Sequence, residues 1–274
     1  MNPPTSPFAL RPSSFDFRPS TFDLRPSNLP SLLLALASIL LGTPSSHAAE
    51  PTPALALFNG RDLTGWRAPT GDWLAVQTVQ LDPADPKRLT STPGTGVLLN
   101  GPTSRTVNLI TAAEWGDVEL HVEFCLPRGS NSGVYLMGRY EVQVYDSFGV
   151  TQSPYPGIEC GGIYPRWTEA RGEFEGHSPR VNASLPPGEW QSFDITFTAP
   201  RFDATGRKTA PARFVQVRHN GRLIHENIAL TGPTRAAVWE AERDEKPTGP
   251  LMLQGDHGPV AYRNLRLRPL TSAP

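Results

Sequence analysis

The fold class is decided by residues 117–125, which read Asp117-Val118-Glu119-Leu120-His121-Val122-Glu123-Phe124-Cys125. Apolar side chains alternate there with polar ones from Val118 to Phe124. Because successive side chains of a β-strand point to opposite faces, this alternation predicts a strand with one buried face and one polar face.

Further segments along the chain repeat this alternation: 133–137, 141–145, 193–198, 213–218, 223–225, 251–254 and 265–268. Asn220-Gly221 lies between two of them and is a strong signal for a β-hairpin. The chain contains 24 glycines and 30 prolines, and no segment shows a long helical periodicity. Because strand follows strand without crossover helices, we predict an all-β fold, an antiparallel two-sheet sandwich or jelly roll.

The N-terminal part of the chain differs in composition from the alternating segments. Within residues 1–28, a seven-residue unit that begins Arg-Pro-Ser occurs twice and starts again. Proline in each copy excludes a coiled coil, so we interpret this extension as low-complexity disorder or a start codon assigned too far upstream. Residues 29–48 contain an apolar run too short to span a bilayer comfortably, which predicts a signal peptide cleaved after Ala48. An uncleaved anchor is the alternative. We therefore expect a periplasmic or secreted protein with one jelly-roll domain, 50–274.

Composition and missing motifs exclude several function classes. The formal net charge is −1, and no basic stripe with interleaved aromatic residues occurs, so a nucleic-acid partner is not expected. The sequence lacks a GxSxG elbow, a Walker loop, an HExxH motif and a dinucleotide fingerprint. A carbohydrate or another neutral small molecule fits this balance, stable membrane insertion is not expected, and the oligomeric state is left open.

The densest group of candidate functional residues lies between 117 and 149. Two adjacent strands there are expected to place acidic, amide and aromatic side chains on one face. These are Glu119, His121, Glu123, Tyr135, Met137, Glu141 and Gln143. Each carboxylate alone is by default a solvated surface group. Together the side chains suit a sugar, since carboxylates and amides bind hydroxyls, aromatic rings stack on sugar faces, and paired carboxylates can act as acid and base.

Two glycine-containing turns add candidates. In the connection 129–133, Asn131 is either an ordinary turn residue or a ligand-binding group at the rim. A lone histidine in a turn is usually a surface group, but His257 has Gln254, Asp256 and two glycines as neighbours. This loop could approach a ligand closely and bring a titratable group to it. Residues 145–189 form a long segment without alternation, of the kind that often carries function.

Cys125 and Cys160 are the only cysteines. Export would permit a disulfide between them, and two free thiols are equally compatible with the sequence. A two-cysteine metal site is less favoured because CxxC spacing is absent.

Several segments, taken in order, carry a resemblance to a known family. They are 57–66 (LFNGRDLTGW), 116–124 (GDVELHVEF), 131–136 (NSGVYL), 138–144 (GRYEVQV), 160–164 (CGGIY), 187–191 (PGEWQ), 219–221 (HNG), 253–260 (LQGDHGPV) and 264–270 (NLRLRPL). Over nearly all of 55–270 the chain resembles the 3-keto-disaccharide hydrolase family, which implies a concanavalin A-like jelly roll. The resemblance also implies cleavage of glycosides oxidised at sugar carbon 3, through loss of the carbon 2 proton, departure of the group on carbon 1 and addition of water.

Carried over to this sequence, the resemblance implies acid–base roles for Glu123, Glu141 and His257. It also implies that Asn131, Arg139, Gln143 and Gln254 position hydroxyls or stabilise the enolate. The predicted polar face adds Tyr135 and His121 as substrate-binding candidates. Arg139 is alternatively a structural salt-bridge partner. A divalent metal ion could supply an electrophile, although no ligand spacing demands one. A Cys125–Cys160 disulfide would attach the long loop to the sheet beside this site. A lectin-like binding module, an ordinary glycosidase and a scaffold protein are the alternative functions.

Overall fold

The chain forms two antiparallel β-sheets that pack against each other, with two short hairpins beside them. The structure, a computed structural model, describes residues 53–101, 104–151, 153–234 and 245–270. The N-terminal extension and the signal peptide predicted above therefore lie outside the described residues. Within these four ranges, no helix is long and apolar enough to cross a membrane.

The described part of the chain contains sixteen strands. In chain order they are β1 (Leu55–Ala56), β2 (Leu74–Leu81), β3 (Leu89–Leu99), β4 (Leu109–Ile110), β5 (Val118–Cys125), β6 (Asn131–Leu136), β7 (Tyr140–Tyr145), β8 (Arg166–Thr168), β9 (Gly172–Phe174), β10 (Gln191–Thr198), β11 (Arg201–Phe202), β12 (Lys208–Ala210), β13 (Arg213–His219), β14 (Arg222–Ala229), β15 (Met252–Leu253) and β16 (Ala261–Pro269). The larger sheet has eight strands in the order β14-β13-β10-β5-β16-β3-β2, with β1 paired to β16. The smaller sheet has the order β4-β15-β6-β7. The predicted all-β sandwich of antiparallel sheets is confirmed.

One hydrophobic core lies between the two sheets. The larger sheet contributes the apolar residues that alternate in β5 and β10, including Phe124 and Phe193, whose ring centroids are 4.7 Å apart. The smaller sheet contributes Val134, Val142 and Leu253. Each fully buried side chain of this kind stabilises the fold by about 1.5–3 kcal/mol relative to an exposed one. The buried faces predicted from the alternation of β5, β6, β7, β10 and β15 are confirmed.

Two connections depend on residues with positive φ. Asn220 and Gly221, with φ of 50° and 76°, join β13 to β14 in the predicted hairpin. Met137 and Gly138, with φ of 56° and 63°, lie between β6 and β7. Because the chain leaves the strand conformation at Met137, this side chain packs in the main core. The prediction that Met137 belongs to the polar face is therefore wrong.

The strands β5 and β6 follow each other in the sequence but belong to different sheets. β5 pairs with β10 and β16, whereas β6 pairs with β7 and β15. The connection 126–130 carries the chain from one sheet to the other, and its first residue, Leu126, is buried in the core. The prediction that β5 and β6 are neighbours with a shared polar face is therefore wrong.

Both cysteines are buried and neither forms a disulfide. Burial raises the pKa of the Cys125 and Cys160 thiols to about 12. Of the two states left open by the sequence, the structure shows the free thiols. Thiols with such a high pKa are poor nucleophiles, so their role is packing.

Candidate functional site

Polar side chains are concentrated on the outer face of the smaller sheet, which points away from the core. The group consists of Asn131 and Tyr135 on β6, Glu141 and Gln143 on β7, and Gln254 immediately after β15. We call these five residues the amide–carboxyl cluster. Tyr135, Glu141 and Gln143 are at most 2% exposed, and Gln254 is 6% exposed. The strand alternation places them together, because the residues between them fill the core.

Gly133 leaves the space in which the Glu141 side chain lies. A Cβ atom at Gly133 would be 2.0 Å from Oε1 of Glu141 and 2.8 Å from Cε2 of Tyr135. The carboxyl group therefore lies across the backbone of β6 and beside the tyrosine ring. The Tyr135 hydroxyl donates a hydrogen bond to this carboxyl group, which orients it.

The Glu141 carboxyl group titrates far from its ordinary range. Burial raises its pKa from 4.5 to about 8, the hydrogen bond from Tyr135 opposes this shift, and the negative charge of Asp256 adds to it. Burial and the Glu141 carboxylate in turn raise the pKa of Tyr135 well above its ordinary value. A carboxyl group with a pKa near the working pH is suited to take up and release a proton during a reaction.

Three amide side chains of the cluster have buried oxygens without a hydrogen-bond donor among the described residues. These are Oδ1 of Asn131, Oε1 of Gln143 and Oε1 of Gln254. The large majority of buried side-chain polar atoms in proteins bond to protein or to ordered water, so these three oxygens mark positions where water or a ligand would donate. Hydroxyl groups of a ligand are donors that could pair with them.

A segment of the long loop extends the smaller sheet beside Glu141. The Gly161 N–H donates to the Gln143 carbonyl (2.7 Å), the Gln143 N–H donates to the Gly162 carbonyl (2.9 Å), and the Tyr164 N–H donates to the Glu141 carbonyl (3.2 Å). The half-buried Tyr164 therefore borders the cluster. It was not among the candidates from the sequence, although it belongs to the CGGIY motif at 160–164.

His257 lies in the turn that follows Gln254. Its Nδ1 atom is 2.5 Å from Oδ1 of Asp256, and both side chains are exposed. The fully buried Asn100 anchors this turn, since its amide nitrogen donates to the carbonyls of Gly255 (3.2 Å) and Gly258 (2.6 Å). The turn thus holds a carboxylate–histidine pair close enough to Glu141 for the Asp256 charge to affect its pKa. The sequence pattern indicates Asp256 only as a neighbour of His257.

Glu123 and His121 lie on the opposite side of the sandwich, on the outer face of the larger sheet. Glu123 accepts hydrogen bonds from Arg263 (2.6 Å) and Asn264 (2.7 Å), and Nδ1 of His121 is 2.6 Å from Oδ1 of Asp194. Partial burial raises the pKa of Glu123, but the hydrogen bonds from Arg263 and Asn264 outweigh it and the pKa is lowered. The predicted grouping of Glu123 and His121 with Glu141 is wrong, because β5 and β7 are in different sheets.

Arg139 lies in the connection between β6 and β7 and is 2% exposed. Its guanidinium group donates a hydrogen bond to the Tyr140 hydroxyl. Its carbonyl accepts hydrogen bonds from the backbone and side chain of Thr234 (2.9 and 3.0 Å). These contacts give Arg139 a structural role, and its substrate-binding role stays a prediction.

In the four described ranges, no three His, Cys, Asp or Glu side chains converge as metal ligands would. The oxygens of Glu141, Gln143 and Gln254 are of the type that Mg²⁺ and Ca²⁺ take as ligands. This ligand set would contain one carboxylate beside neutral amide oxygens, which is little negative charge for a divalent cation.

Comparison with known proteins places the chain in a family. The sequence matches the family model described as the 3-keto-alpha-glucoside-1,2-lyase-like domain over residues 53–268. A crystal structure of a candidate glycosyl hydrolase from Parabacteroides distasonis has a TM-score of 0.56 and 26% sequence identity, and the alignment covers 79% of this chain and 84% of that chain. A second such structure from the same organism has a TM-score of 0.50 and 20% identity over 80% and 100% of the two chains, which shows the fold alone. No curated protein matches the sequence significantly. Because the family model spans well over half of the chain, the protein belongs to the 3-keto-alpha-glucoside-1,2-lyase-like domain family.

Proposed function

We propose that this protein cleaves glycosides whose sugar has been oxidised to a ketone at carbon 3. Membership of the family and the likeness to a candidate glycosyl hydrolase support a protein that acts on or binds carbohydrate. The observation that carries the proposal is the buried Glu141, with a pKa of about 8, among amide oxygens that have no donor in the described part of the chain.

The ketone determines which proton leaves. A carbonyl group at carbon 3 acidifies the hydrogen on carbon 2, and ionised Glu141 takes that proton. The electron pair of the C–H bond passes into the enolate, which then expels the oxygen of the group on carbon 1. Water adds at carbon 1 of the resulting enone, and Glu141 returns a proton to carbon 2. The net reaction is hydrolysis, and Glu141 ends in its starting state.

The neighbours of Glu141 take the other roles. The amide groups of Asn131, Gln143 and Gln254 accept hydrogen bonds from sugar hydroxyls, and their N–H groups donate to the enolate oxygen as it gains charge. His257, paired with Asp256, supplies the proton to the departing oxygen and then takes a proton from the water that adds at carbon 1, so it also ends in its starting state. A divalent cation would add an electrophile at the enolate oxygen, so the assay below is run with EDTA and with added Mg²⁺ or Ca²⁺.

The test compares a 3-keto-glucoside that bears a chromogenic leaving group with its unoxidised parent. We expect release from the keto form only. Glu141→Gln should lower kcat/KM at least about 100-fold, as loss of a general base usually does. Glu123→Gln is the matched control, because it makes the same change on the other side of the sandwich, and it should retain turnover.

Other outcomes assign other functions. Release from the unoxidised parent would indicate an ordinary glycosidase. Binding of a sugar without release from either compound would indicate a lectin-like module. Equal loss of activity in Glu123→Gln and Glu141→Gln would contradict the assignment of the site to the smaller sheet.

A further inference from the structure

A second feature of the surface lies next to the amide–carboxyl cluster. It is an open cleft of about 450 Å³ between the β2–β3 turn, the loop that follows β3, the β5–β6 connection and the turn after β15. Its lining includes four basic side chains, those of Lys87, Arg88, Arg105 and Arg128. We call it the cationic cleft.

One carboxylate lines the cationic cleft, and two more, Asp146 and Asp256, are hydrogen-bonded to its lining residues Gly129 and His257. The one carboxylate that lines it, Asp85, accepts a hydrogen bond from the Lys87 backbone N–H (3.0 Å) and so stabilises its own turn. Among the described residues, the side chains of Lys87, Arg88 and Arg128 form no ion pair, and all three are exposed. Exposed single cations are ordinary, but these three around one concave surface in a chain of net charge −1 produce a local positive field.

The cations are held in place by the backbone of two elements. The Arg128 N–H donates to the Pro86 carbonyl (2.9 Å), which ties the β5–β6 connection to the β2–β3 turn. Arg88 donates its own N–H to the Asp85 carbonyl (3.0 Å). The two arginines therefore project from backbone segments that are joined to each other, which places both side chains at the same cleft.

The cationic cleft begins where the amide–carboxyl cluster ends. His257 and Ser130 line the cleft, and the residues next to them in the chain are Asp256, whose charge acts on Glu141, and Asn131 of the cluster. A Cβ atom at Gly258 would be 2.5 Å from Oγ of Ser130, so the two connections that separate the regions are in close contact. A ligand with its sugar at the cluster would extend its other end toward the cations.

We infer that the group attached to carbon 1 of the substrate is anionic, and that Lys87, Arg88 and Arg128 bind its carboxylate, sulfate or phosphate. This inference rests on the proposed function for the position of the sugar. Guanidinium groups form paired hydrogen bonds with all three oxyanions, which makes them suited to this role. The inferred substrate class is a 3-keto-glycoside with an acidic aglycone.

Binding is measured first, because it does not depend on turnover. The probes are unoxidised phenyl, 4-carboxyphenyl and 4-sulfophenyl glucosides, titrated calorimetrically into the full protein at low salt. We expect the two anionic probes to bind about tenfold more tightly than the neutral one, a difference of about 1.4 kcal/mol. The preference should shrink in high salt, since exposed charges are screened.

The variant Lys87→Gln/Arg88→Gln/Arg128→Gln should bind all three probes with similar affinity. The matched control, Arg61→Gln/Arg222→Gln/Lys246→Gln, removes the same charge from exposed positions outside the cationic cleft and should keep the preference. Both variants change only surface residues, so thermal melts should show native folds. Equal binding of neutral and anionic probes to the wild type, or equal loss of preference in both variants, would overturn the inference.

Turnover of the corresponding 3-keto compounds then separates the two proposals. Turnover without preference for the anionic leaving groups, beyond what their chemical reactivity explains, would leave the reaction in place and reject the anionic substrate. A preference in binding without turnover of any keto compound would leave the anion site in place and reject the proposed reaction.

Discussion

Glu141→Gln should make the folded protein more stable near neutral pH while it removes activity. The pKa of Glu141 is about 8 in the folded state and 4.5 as its ordinary value. Between these two values the unfolded chain has released the proton and the folded protein still holds it. Unfolding therefore releases a proton, and the free energy of unfolding falls as pH rises through this window. Glutamine is neutral at every pH and still accepts the hydrogen bond from Tyr135, so the variant avoids this loss.

The size of this stability difference follows from the pH interval between the two pKa values of Glu141. Each pH unit between the two pKa values is worth about 1.4 kcal/mol, so the variant should be more stable by about 3 kcal/mol at pH 7 and about 5 kcal/mol above pH 8. At pH 4.5 the carboxyl group of the unfolded chain is half protonated and the difference should be only about 0.4 kcal/mol, and it should vanish at lower pH. For a domain of this size, 3 kcal/mol at pH 7 corresponds to a rise in Tm of about 6–12 °C.

Urea unfolding of the wild type and the variant at pH 4.5, 7 and 8.5 provides the measurement, with the m-value as a check that both unfold from the same state. The exposed Glu189, changed to glutamine, is the control and should show no such pH dependence. An advantage of Glu141→Gln that is the same at all three pH values, or absent at pH 8.5, would refute the assignment of a buried, neutral carboxyl group at this position.

Two further predictions concern a glycine and the buried histidines. Gly133→Ala places a Cβ atom 2.0 Å from Oε1 of Glu141, so the carboxyl group must shift, and kcat/KM should fall about 100-fold at a cost in stability of about 1–3 kcal/mol. Wild-type turnover in this variant would contradict the role of Glu141. Burial lowers the pKa of His219 and His225 to about 4, so as pH falls from 6.5 toward 4 the unfolded chain takes up protons that the folded protein does not. The free energy of unfolding should then fall by up to about 1.4 kcal/mol per pH unit for each histidine. In urea titrations at pH 7, 6 and 5, His219→Gln should remove one such contribution. If the free energy of unfolding of the variant changes with pH as steeply as that of the wild type, His219 is not buried in its neutral form.

The strands and their buried faces could be predicted because alternation is a local property. Each strand has residues of one kind on each face, and the faces of β5, β6, β7, β10 and β15 follow from this alone. The hairpin at Asn220-Gly221 was also predictable, because asparagine and glycine adopt the positive φ that this turn requires. Met137 was the exception, since the end of β6 depends on where the chain turns.

The neighbours of each strand could not be predicted in the same way. An alternating strand must bury its apolar face, but the pattern does not say in which sheet it lies. β5 and β6 look like a hairpin in the sequence, yet residues 126–130 cross from one sheet to the other. For this reason Glu123 and Glu141, which seem to share a face, lie on opposite sides of the sandwich.

Local patterns in the amino-acid sequence are thus sufficient for the all-β class, the core residues and, through the ordered motifs, the family. The three-dimensional arrangement alone explains why burial raises the pKa of Glu141 beside Tyr135 and Asp256, while hydrogen bonds from Arg263 and Asn264 lower the pKa of Glu123. The reason is physical: the pKa of a carboxyl group depends on the groups that surround it in space. For Glu141 those groups come from β6, from the turn after β15 and from the long loop at 161–164, which no local pattern brings together.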